Sequence, residues 1–417
     1  MKKYTREYFK RDRLRIGVWR YHMPLANEFG MKQITDCGID TIITSDATKN
    51  RATRETVLEL ADKYGVETYV MDKMIDYGKP WSEEEIEQFD PEQMISSYAH
   101  HPSFTGCFFN DEPGTDAFPW MSRIMNKFEE KTGHSSLINL LPAYANAAQL
   151  KYGANADKID YYDTDPNIFE KYCEEYCKAF TSDILCTDIY PLDWTLTGIK
   201  RTRRNYVEYI NQSAKVAHRF GKKFWCCIQT YGYSSGKRTP NEAEFRWQCY
   251  CVLSFGCTGI LLWNYLGKPE FPSLVHPITL TPTDAYYDCQ TVMWEMRNLS
   301  DTYIQYKYLG SFNKNDNDEL TYLHMSDPYE DFDVLTDISS NDPLLFGCFE
   351  KKQGRGKAFT VVNMNEFALE LPATVSFKTK AKKVTVYRKN EFCEITPIRG
   401  KYTISLECGE GVFVMLD

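Results

Sequence analysis

The sequence lacks an excess of basic residues. Its 417 residues include 49 Lys and Arg against 58 Asp and Glu, which gives a formal net charge of −9. Nucleic acids and anionic membranes are recognised through positively charged patches, so we expect neither as a partner. The chain also lacks any apolar run that approaches the ~18 residues of a membrane span.

The N-terminal stretch, residues 1–20, lacks the apolar segment of a secretory signal, which predicts a cytoplasmic protein. The 14 cysteines are then expected as free thiols rather than as disulfides. Cys173 and Cys177 are four residues apart on a predicted helix, but no second pair of metal-ligand residues accompanies them. No G-x-G-x-x-G motif follows the first predicted strand. The sequence therefore predicts no metal and no organic cofactor.

Eight short apolar segments alternate with helical segments over the first 310 residues. They read as continuous apolar runs, as expected of parallel strands that are covered on both faces. Eight strand–helix units of this kind predict an α/β fold, a (β/α)8 TIM barrel, over residues 1–310. An open doubly wound sheet is the alternative. The predicted strands are 13–20, 40–46, 66–72, 104–112, 135–144, 183–191, 222–233 and 257–267. Gly65 is expected to end the helix after the second strand, and a long acidic helical region that reaches His100 is expected after the third.

The pattern changes after about residue 310. Residues 311–417 hold short β-type runs with polar turns and no intervening helices, among them "KAFTVVNMN" (357–365) and "GVFVMLD" (411–417). Such spacing is typical of a small antiparallel β-sandwich. The sequence therefore predicts a second, structural domain that covers residues 311–417.

Polar residues collect where the predicted barrel strands end. The carboxyl ends of all strands in a barrel form one rim, and that rim carries the chemistry. A single Asp in such a place often only caps the next helix. Together, however, these residues offer carboxylates, amides, an arginine and aromatic rings, which suits sugar binding. The predicted sugar contacts are Arg20, Asp46, Asn110, Asp111, Tyr190, Gln229, Tyr231, Trp263 and Asn264.

The stretch "GCFFNDEPG" (106–114) ends an apolar strand with two adjacent carboxylates, Asp111 and Glu112. Side chains alternate along a strand, so we expect only one of the two to face the cleft. If Glu112 lies among aromatic side chains, loss of hydration raises its pKa and keeps it protonated near neutral pH. A protonated carboxyl at this place suits a general acid for a glycosidic oxygen.

With these features the chain resembles the clan A glycoside hydrolases, a large group of (β/α)8 enzymes that includes many β-galactosidases. The resemblance rests on "FFNDEPG" at the fourth strand, on Tyr190 after the sixth and on Trp263 after the eighth. It also extends to bacterial glycosyl hydrolases with a small C-terminal β-domain. The resemblance implies that Glu112 is the acid/base, and that Tyr190 and Trp263 form a sugar subsite.

The chain departs from the clan at two positions. Asp111 precedes the acid/base where the clan has Asn, and the Asn of this chain stands one position earlier. At the end of the seventh strand, "FWCCIQTYGY" (224–233) places Gln229 where the clan has its nucleophilic Glu. A glutamine amide is no nucleophile for a retaining mechanism.

Three hypotheses follow for the second carboxylate. Asp188 in "CTDIYPLDW" (186–194) is the first candidate, as a nucleophile at ~5–5.5 Å from Glu112 or as an inverting base at ~6.5–9.5 Å. Asp111 or an acidic loop residue is the second. In the third, the protein binds sugars without hydrolysing them. A carbohydrate is the expected partner in each case, and the sequence is compatible with a homo-oligomer but sets no stoichiometry.

Overall fold

Eight parallel strands form a closed barrel in the computed structural model, which describes residues 4–75, 79–232, 236–314, 320–322 and 332–417. In the closed sheet each strand lies between its two neighbours in chain order, and β1 lies beside β8. The predicted TIM barrel is therefore confirmed. The strands are β1 (Arg15–Tyr21), β2 (Thr41–Thr44), β3 (Glu67–Val70), β4 (Phe104–Asp111), β5 (Ser135–Leu140), β6 (Ile184–Asp188), β7 (Lys223–Gln229) and β8 (Cys257–Trp263).

The helices alternate with these strands along the chain. They are α1 (Arg6–Lys10), α2 (Glu28–Asp36), α3 (Arg51–Tyr64), α4 (Glu83–Gln88), α5 (Pro91–Ile95), α6 (Phe118–Thr132), α7 (Ala147–Tyr152), α8 (Ile168–Ala179), α9 (Tyr206–Arg219), α10 (Glu242–Leu253) and α11 (Asp284–Tyr303). Four short 3-10 helices are Met23–Leu25, Asp46–Lys49, Thr115–Ala117 and Ala154–Ala156. Among the residues that the structure describes, none of the helices combines the length and apolar character that a membrane crossing requires.

Local sequence explains where α3 begins and ends. The Asn50 side chain accepts hydrogen bonds from the backbone N–H groups of Ala52 and Thr53, which otherwise have no partner within the helix. Gly65 ends the helix in the left-handed conformation, at φ 74°. Asn50 therefore begins α3, and Gly65 ends it, as its position in the sequence predicts.

The acidic region before β4 differs from its prediction as one long helical segment that reaches His100. It forms two short helices, α4 and α5. Asp90 accepts a hydrogen bond from the backbone N–H of Gln93 and Pro91 occupies the first turn, so a new helix begins there. A proline is favoured in a first helical turn and disfavoured inside a helix, which explains the break.

The barrel interior is filled by side chains from all eight strands. Aromatic rings supply much of its volume, and the rings of Trp19 and Phe108 meet edge to face at 4.6 Å. The core is therefore packed rather than hollow, as in other TIM barrels. Its buried members are Trp19, Ile43, Tyr69, Phe108, Leu137, Ile184, Cys186, Trp225, Cys227 and Leu261.

Gly106 permits the close approach of β4 to β5. A Cβ atom added there would lie 1.8 Å from the backbone oxygen of Ser135, so the two strands would have to separate. We expect Gly106→Ala to lower the free energy of unfolding by about 1–3 kcal/mol, the usual cost of overpacking. Urea denaturation measures this, with Thr105→Ala as the neighbouring control. An unchanged denaturation midpoint in Gly106→Ala would contradict the prediction.

Antiparallel strands follow the barrel and form two sheets, as predicted. The larger sheet has the order β10-β9-β12-β13-β18-β15-β16, and the smaller has the order β11-β14-β17. Side chains from both sheets share one apolar core, which includes Phe346, Phe359, Val375 and Phe377. The strands are β9 (Tyr306–Lys314), β10 (Leu320–Tyr322), β11 (Leu335–Ser339), β12 (Leu344–Lys351), β13 (Lys357–Asn363), β14 (Ala373–Thr379), β15 (Val384–Arg388), β16 (Glu391–Ile395), β17 (Tyr402–Leu406) and β18 (Gly411–Leu416).

The chain divides into two compact units. The predicted domain boundary at residue 310 falls within strand β9. The division into domains at that residue stays a proposal. In the second unit, a buried ion pair joins Arg246 Nε of α10 to Glu295 Oε2 of α11 at 2.9 Å. The first unit contains Met1–Ile189, Gln212–Cys227 and Leu261–Leu266, and the second contains Tyr190–Asn211, Ile228–Ile260 and Gly267–Asp417.

Candidate active site

Two strand ends of the first unit carry unusual backbone conformations. Arg20 near the end of β1 has φ 63°, and Glu112 directly after β4 has φ 52°. Left-handed backbone is uncommon for residues other than glycine and tends to occur at functional sites. Arg20 lies within a register shift of the β1–β2 pairing, and the β4–β5 pairing has a register shift at Phe109, three residues before Glu112. The shifts re-aim the side chains at the two strand ends.

A chain of polar contacts links four of these strands. The Arg20 guanidinium lies 3.4 Å from Asp111 Oδ2. The Asn139 amide of β5 donates to Asp111 Oδ1 at 3.4 Å and to Asp188 Oδ1 at 3.0 Å. Glu112 shares a hydrogen bond with Asp188. The cluster therefore gathers three carboxyl groups around one amide and one guanidinium.

The surroundings of Glu112 favour its protonated form at neutral pH. Burial raises the pKa of Glu112 to about 9, and the negative charges of Asp188 and Asp111 add to the rise. Burial also raises the pKa of Asp111, against the opposing effects of Arg20 and Asn139. Two carboxyl groups in hydrogen-bond contact cannot both ionise easily, so Glu112 donates its proton to the Asp188 carboxylate.

Asp111 and Glu112 act on the same cluster, so the expectation that only one faces it is wrong. Strict alternation holds only while the backbone stays extended. Here the β4–β5 register shifts between Phe108 and Asn110, and Glu112 leaves the extended conformation. The two carboxyl groups therefore approach the same neighbours.

The backbone of Glu112 is held on both sides. Its N–H donates to the Asn139 carbonyl at 2.7 Å, and its carbonyl accepts from the Ala154 N–H at 3.1 Å. The Tyr172 hydroxyl donates to the carbonyl of the following Pro113 at 2.7 Å. These bonds hold the backbone segment that carries the Glu112 side chain.

Asn139 belongs to the cluster but was not among the sequence candidates. The thiols of Cys186 and Cys227 donate to its Oδ1 at 3.5 and 3.8 Å, which turns the NH2 group toward Asp111 and Asp188. An amide within the apolar run "SSLINLL" (135–141) is the signal that sequence reasoning could have used. A polar side chain in a buried strand needs a partner.

Gln229 is buried in the second unit and bonded entirely to backbone. Its Oε1 accepts from the Leu192 N–H at 2.9 Å, and its Nε2 donates to the carbonyls of Leu192 and Arg238 at 3.0 and 2.8 Å. Both N–H donors of this amide are therefore engaged by backbone carbonyls in this conformation. Tyr190 and Tyr231 of the same unit are buried as well.

The remaining predicted contacts lie in the first unit. Trp263 is half-buried and packs against the barrel interior, and the half-buried Asn264 follows it through a cis peptide bond. Asn110 is half-buried, and its Oδ1 accepts from the Asp111 N–H at 2.7 Å. The side chain of Asp46 lies outside the described residues, although its backbone begins a 3-10 helix.

One group of potential metal-ligand atoms occurs elsewhere in the first unit. Among the described residues, Glu55, His100 and His101 bring one such atom each to within 4.8 Å of one another. The His101 ring already contacts carboxylates through both nitrogens, Nδ1 to Asp62 at 2.7 Å and Nε2 to Glu55 at 3.1 Å. The geometry is that of an ion-pair network between α3 and the turn before β4.

Solved structures of carbohydrate-active barrels share this fold. The chain is similar to a catalytic mutant of a GH42 beta-galactosidase from G. stearothermophilus, with a TM-score of 0.64 and 8% identity over 98% of each chain. It is also similar to a cycloisomaltooligosaccharide glucanotransferase from Paenibacillus sp., with a TM-score of 0.55 and 8% identity over 96% of this chain and 85% of that one.

A beta-galactosidase from the psychrophilic Marinomonas ef1 matches with a TM-score of 0.49 and 10% identity. That match covers 68% of this chain, and the chain spans 60% of the length of that protein. No protein-family model matches the sequence, and no curated protein matches it. At these identities the likeness concerns the fold alone. Together with the closed barrel, it confirms the predicted resemblance in fold to the clan A glycoside hydrolases.

Proposed function

We propose that this protein is a glycoside hydrolase that acts on a small oligosaccharide or glycoside, with Glu112 as its general acid. The observation that carries the proposal is the position of the Glu112 side chain, which lies beside Asp188 and lines a cavity, and the raised pKa of Glu112 supports it. Relatives in fold whose names include beta-galactosidase and glucanotransferase support a carbohydrate as the substrate class. The chemistry requires no metal and no organic cofactor.

Asp188 is the proposed second carboxylate. Its side chain lies in hydrogen-bond contact with that of Glu112. An inverting enzyme holds a water between carboxyl groups ~6.5–9.5 Å apart, whereas a retaining enzyme has them ~5–5.5 Å apart. The short separation favours a retaining mechanism, in which Asp188 is the nucleophile.

The proposed reaction has two steps. Glu112 gives its proton to the glycosidic oxygen while an Asp188 oxygen bonds to the anomeric carbon and the bond to the leaving group breaks. The Glu112 carboxylate then removes a proton from water. The water oxygen bonds to the anomeric carbon, and the ester to Asp188 breaks.

The other cluster residues orient these two groups. Asn139 holds Asp188 in place, and Arg20 balances the charge of Asp111. Because the carboxyl ends of barrel strands share one rim, we propose the remaining strand-end residues as sugar contacts. In the first unit they are Asn110, Trp263 and Asn264, whereas Asp46, Tyr190 and Tyr231 stay predictions from the sequence alone.

A sugar-binding protein without hydrolysis is the second candidate. It is favoured by Gln229, which stands at the end of β7 and is committed to backbone hydrogen bonds.

Asp111 is the alternative second carboxylate within the hydrolase proposal, because its side chain is 33% exposed whereas that of Asp188 is buried.

A panel of nitrophenyl glycosides and disaccharides, each followed by product analysis, tests the proposal. For a cleaved disaccharide, kcat/KM is expected to stay level from about pH 7 to about pH 9 and to fall about tenfold per pH unit above it, because Glu112 must carry its proton. A fall that begins near pH 5 would contradict the assignment of the acid. Saturable sugar binding without cleavage of any glycoside would favour the second candidate.

A further inference from the structure

A cavity of about 290 Å³ lies beside Glu112 in the first unit. Three segments form its wall: the segment before α4, the loop from β4 into α6, and the end of α7. Its size is at the low end of ligand sites, which span ~300–1,000 Å³, so it suits one sugar ring rather than a long chain. Its polar and aromatic lining residues include Lys79, Asp116, Trp120 and Tyr152.

The position of the cavity relative to the two carboxyl groups defines its function. Glu112 and Asp111 line it, whereas Asp188 and Arg20 do not. In a glycosidase the acid contacts the oxygen between two sugars, and the nucleophile contacts only the sugar whose anomeric carbon is attacked. A cavity that contacts the acid and not the nucleophile therefore receives the leaving group.

The wall of the cavity suits a sugar. Trp120 is half-buried, and Tyr152 remains 44% exposed. Aromatic faces of this kind pack against the apolar face of a sugar ring. Lys79 and Asp116 add a donor and an acceptor for hydroxyl groups.

Local packing holds Tyr152 in place. The Lys151 ammonium lies 5.2 Å from the Tyr152 ring centroid and 4.7 Å from that of Tyr161. Gly114 lets the end of α7 approach the loop after Glu112, because an added Cβ would lie 2.3 Å from the Lys151 carbonyl oxygen. The end of α7, which carries Tyr152, therefore lies beside the loop that follows Glu112.

We propose that this cavity is the leaving-group subsite and that it binds one sugar residue between Trp120 and Tyr152. The inference rests on the proposed function, since it assigns one side of the same cleavage site. It makes the natural substrate at least a disaccharide, in which a second sugar lies on the acid side of the scissile bond.

The test compares two substrates with the same reacting sugar, a disaccharide and the corresponding glycosyl fluoride. Fluoride leaves without a second sugar, so it makes no use of the subsite. For Trp120→Ala and Tyr152→Ala we expect the ratio of kcat/KM for the disaccharide to kcat/KM for the fluoride to fall at least about tenfold, the scale of losing one aromatic stacking contact. Tyr162→Ala, at a residue 86% exposed, is the matched control and should keep the wild-type ratio.

The outcomes separate this inference from the proposed function. A tenfold fall in the ratio for both variants, with an unchanged ratio in Tyr162→Ala, supports the subsite. Equal losses on both substrates, or none, in an active enzyme overturn the subsite and leave the hydrolase proposal standing. A wild-type protein that cleaves neither substrate overturns both.

Discussion

Glu112→Gln is expected to lower kcat/KM for a disaccharide by about 10²–10⁴-fold, the range that general acid catalysis contributes. Glutamine keeps the size of the side chain and its hydrogen bond to Asp188, but its amide cannot transfer the proton to the leaving oxygen. Rates at neutral pH measure the loss. The unfolding midpoint should change little, because the variant replaces a neutral carboxyl by a neutral amide.

A substrate whose leaving group needs little protonation is the control for this experiment. A dinitrophenyl glycoside releases a weakly basic phenolate that needs little protonation, so Glu112→Gln should slow its cleavage far less than that of the disaccharide. Glu130→Gln, an exposed carboxylate on α6, is the matched variant and should retain wild-type rates on both substrates. Equal losses on the two substrates would argue against an acid role for Glu112.

Asp188→Asn is expected to abolish turnover almost completely, with a fall in kcat on the order of 10⁴–10⁶-fold, as when an enzyme loses its nucleophile. The change also removes the charge that helps to hold the proton on Glu112. The decline of any residual activity at high pH should therefore begin at a lower pH than in the wild type, because the pKa of Glu112 falls when Asp188 is neutral.

The anomer of a trapped product tells the carboxylates apart. With azide, Asp188→Ala should form a glycosyl azide of inverted configuration. Azide then displaces the leaving group directly, in one inverting step instead of the two steps of a retaining enzyme. Glu112→Ala with azide should give the retained configuration, because the azide attacks the intermediate on Asp188. If Asp111→Ala rather than Asp188→Ala yields the inverted azide, Asp111 is the nucleophile.

Much of the fold was predictable because its signals are local. Apolar runs such as "GILLW" (259–263) mark strands that are covered on both faces, and Gly65 marks the end of a helix. The loss of helices after the barrel likewise predicted antiparallel sheets. The helical region before β4 was predicted as one piece, whereas Asp90 and Pro91 begin a new helix within it.

Four members of the candidate cluster could be selected from the sequence, but its geometry could not be predicted. A barrel brings strand ends to one rim, so Arg20, Asp111, Glu112 and Asp188 could be selected from the sequence. The register shift in β4 and the left-handed backbone of Glu112 could not, because they arise from packing against β5. The bridging amide of Asn139 escaped notice for a similar reason, since its partners come from two other strands.

By itself the sequence determined the order of strands and helices and the polar character of the strand ends, because periodicity and capping act between near neighbours. Only the tertiary structure decided which charges meet. The pKa of Glu112 depends on burial and on Asp188, 76 positions away in the chain but in hydrogen-bond contact after folding. Electrostatic energy depends on distance in space and on loss of water, and neither quantity exists before the barrel closes.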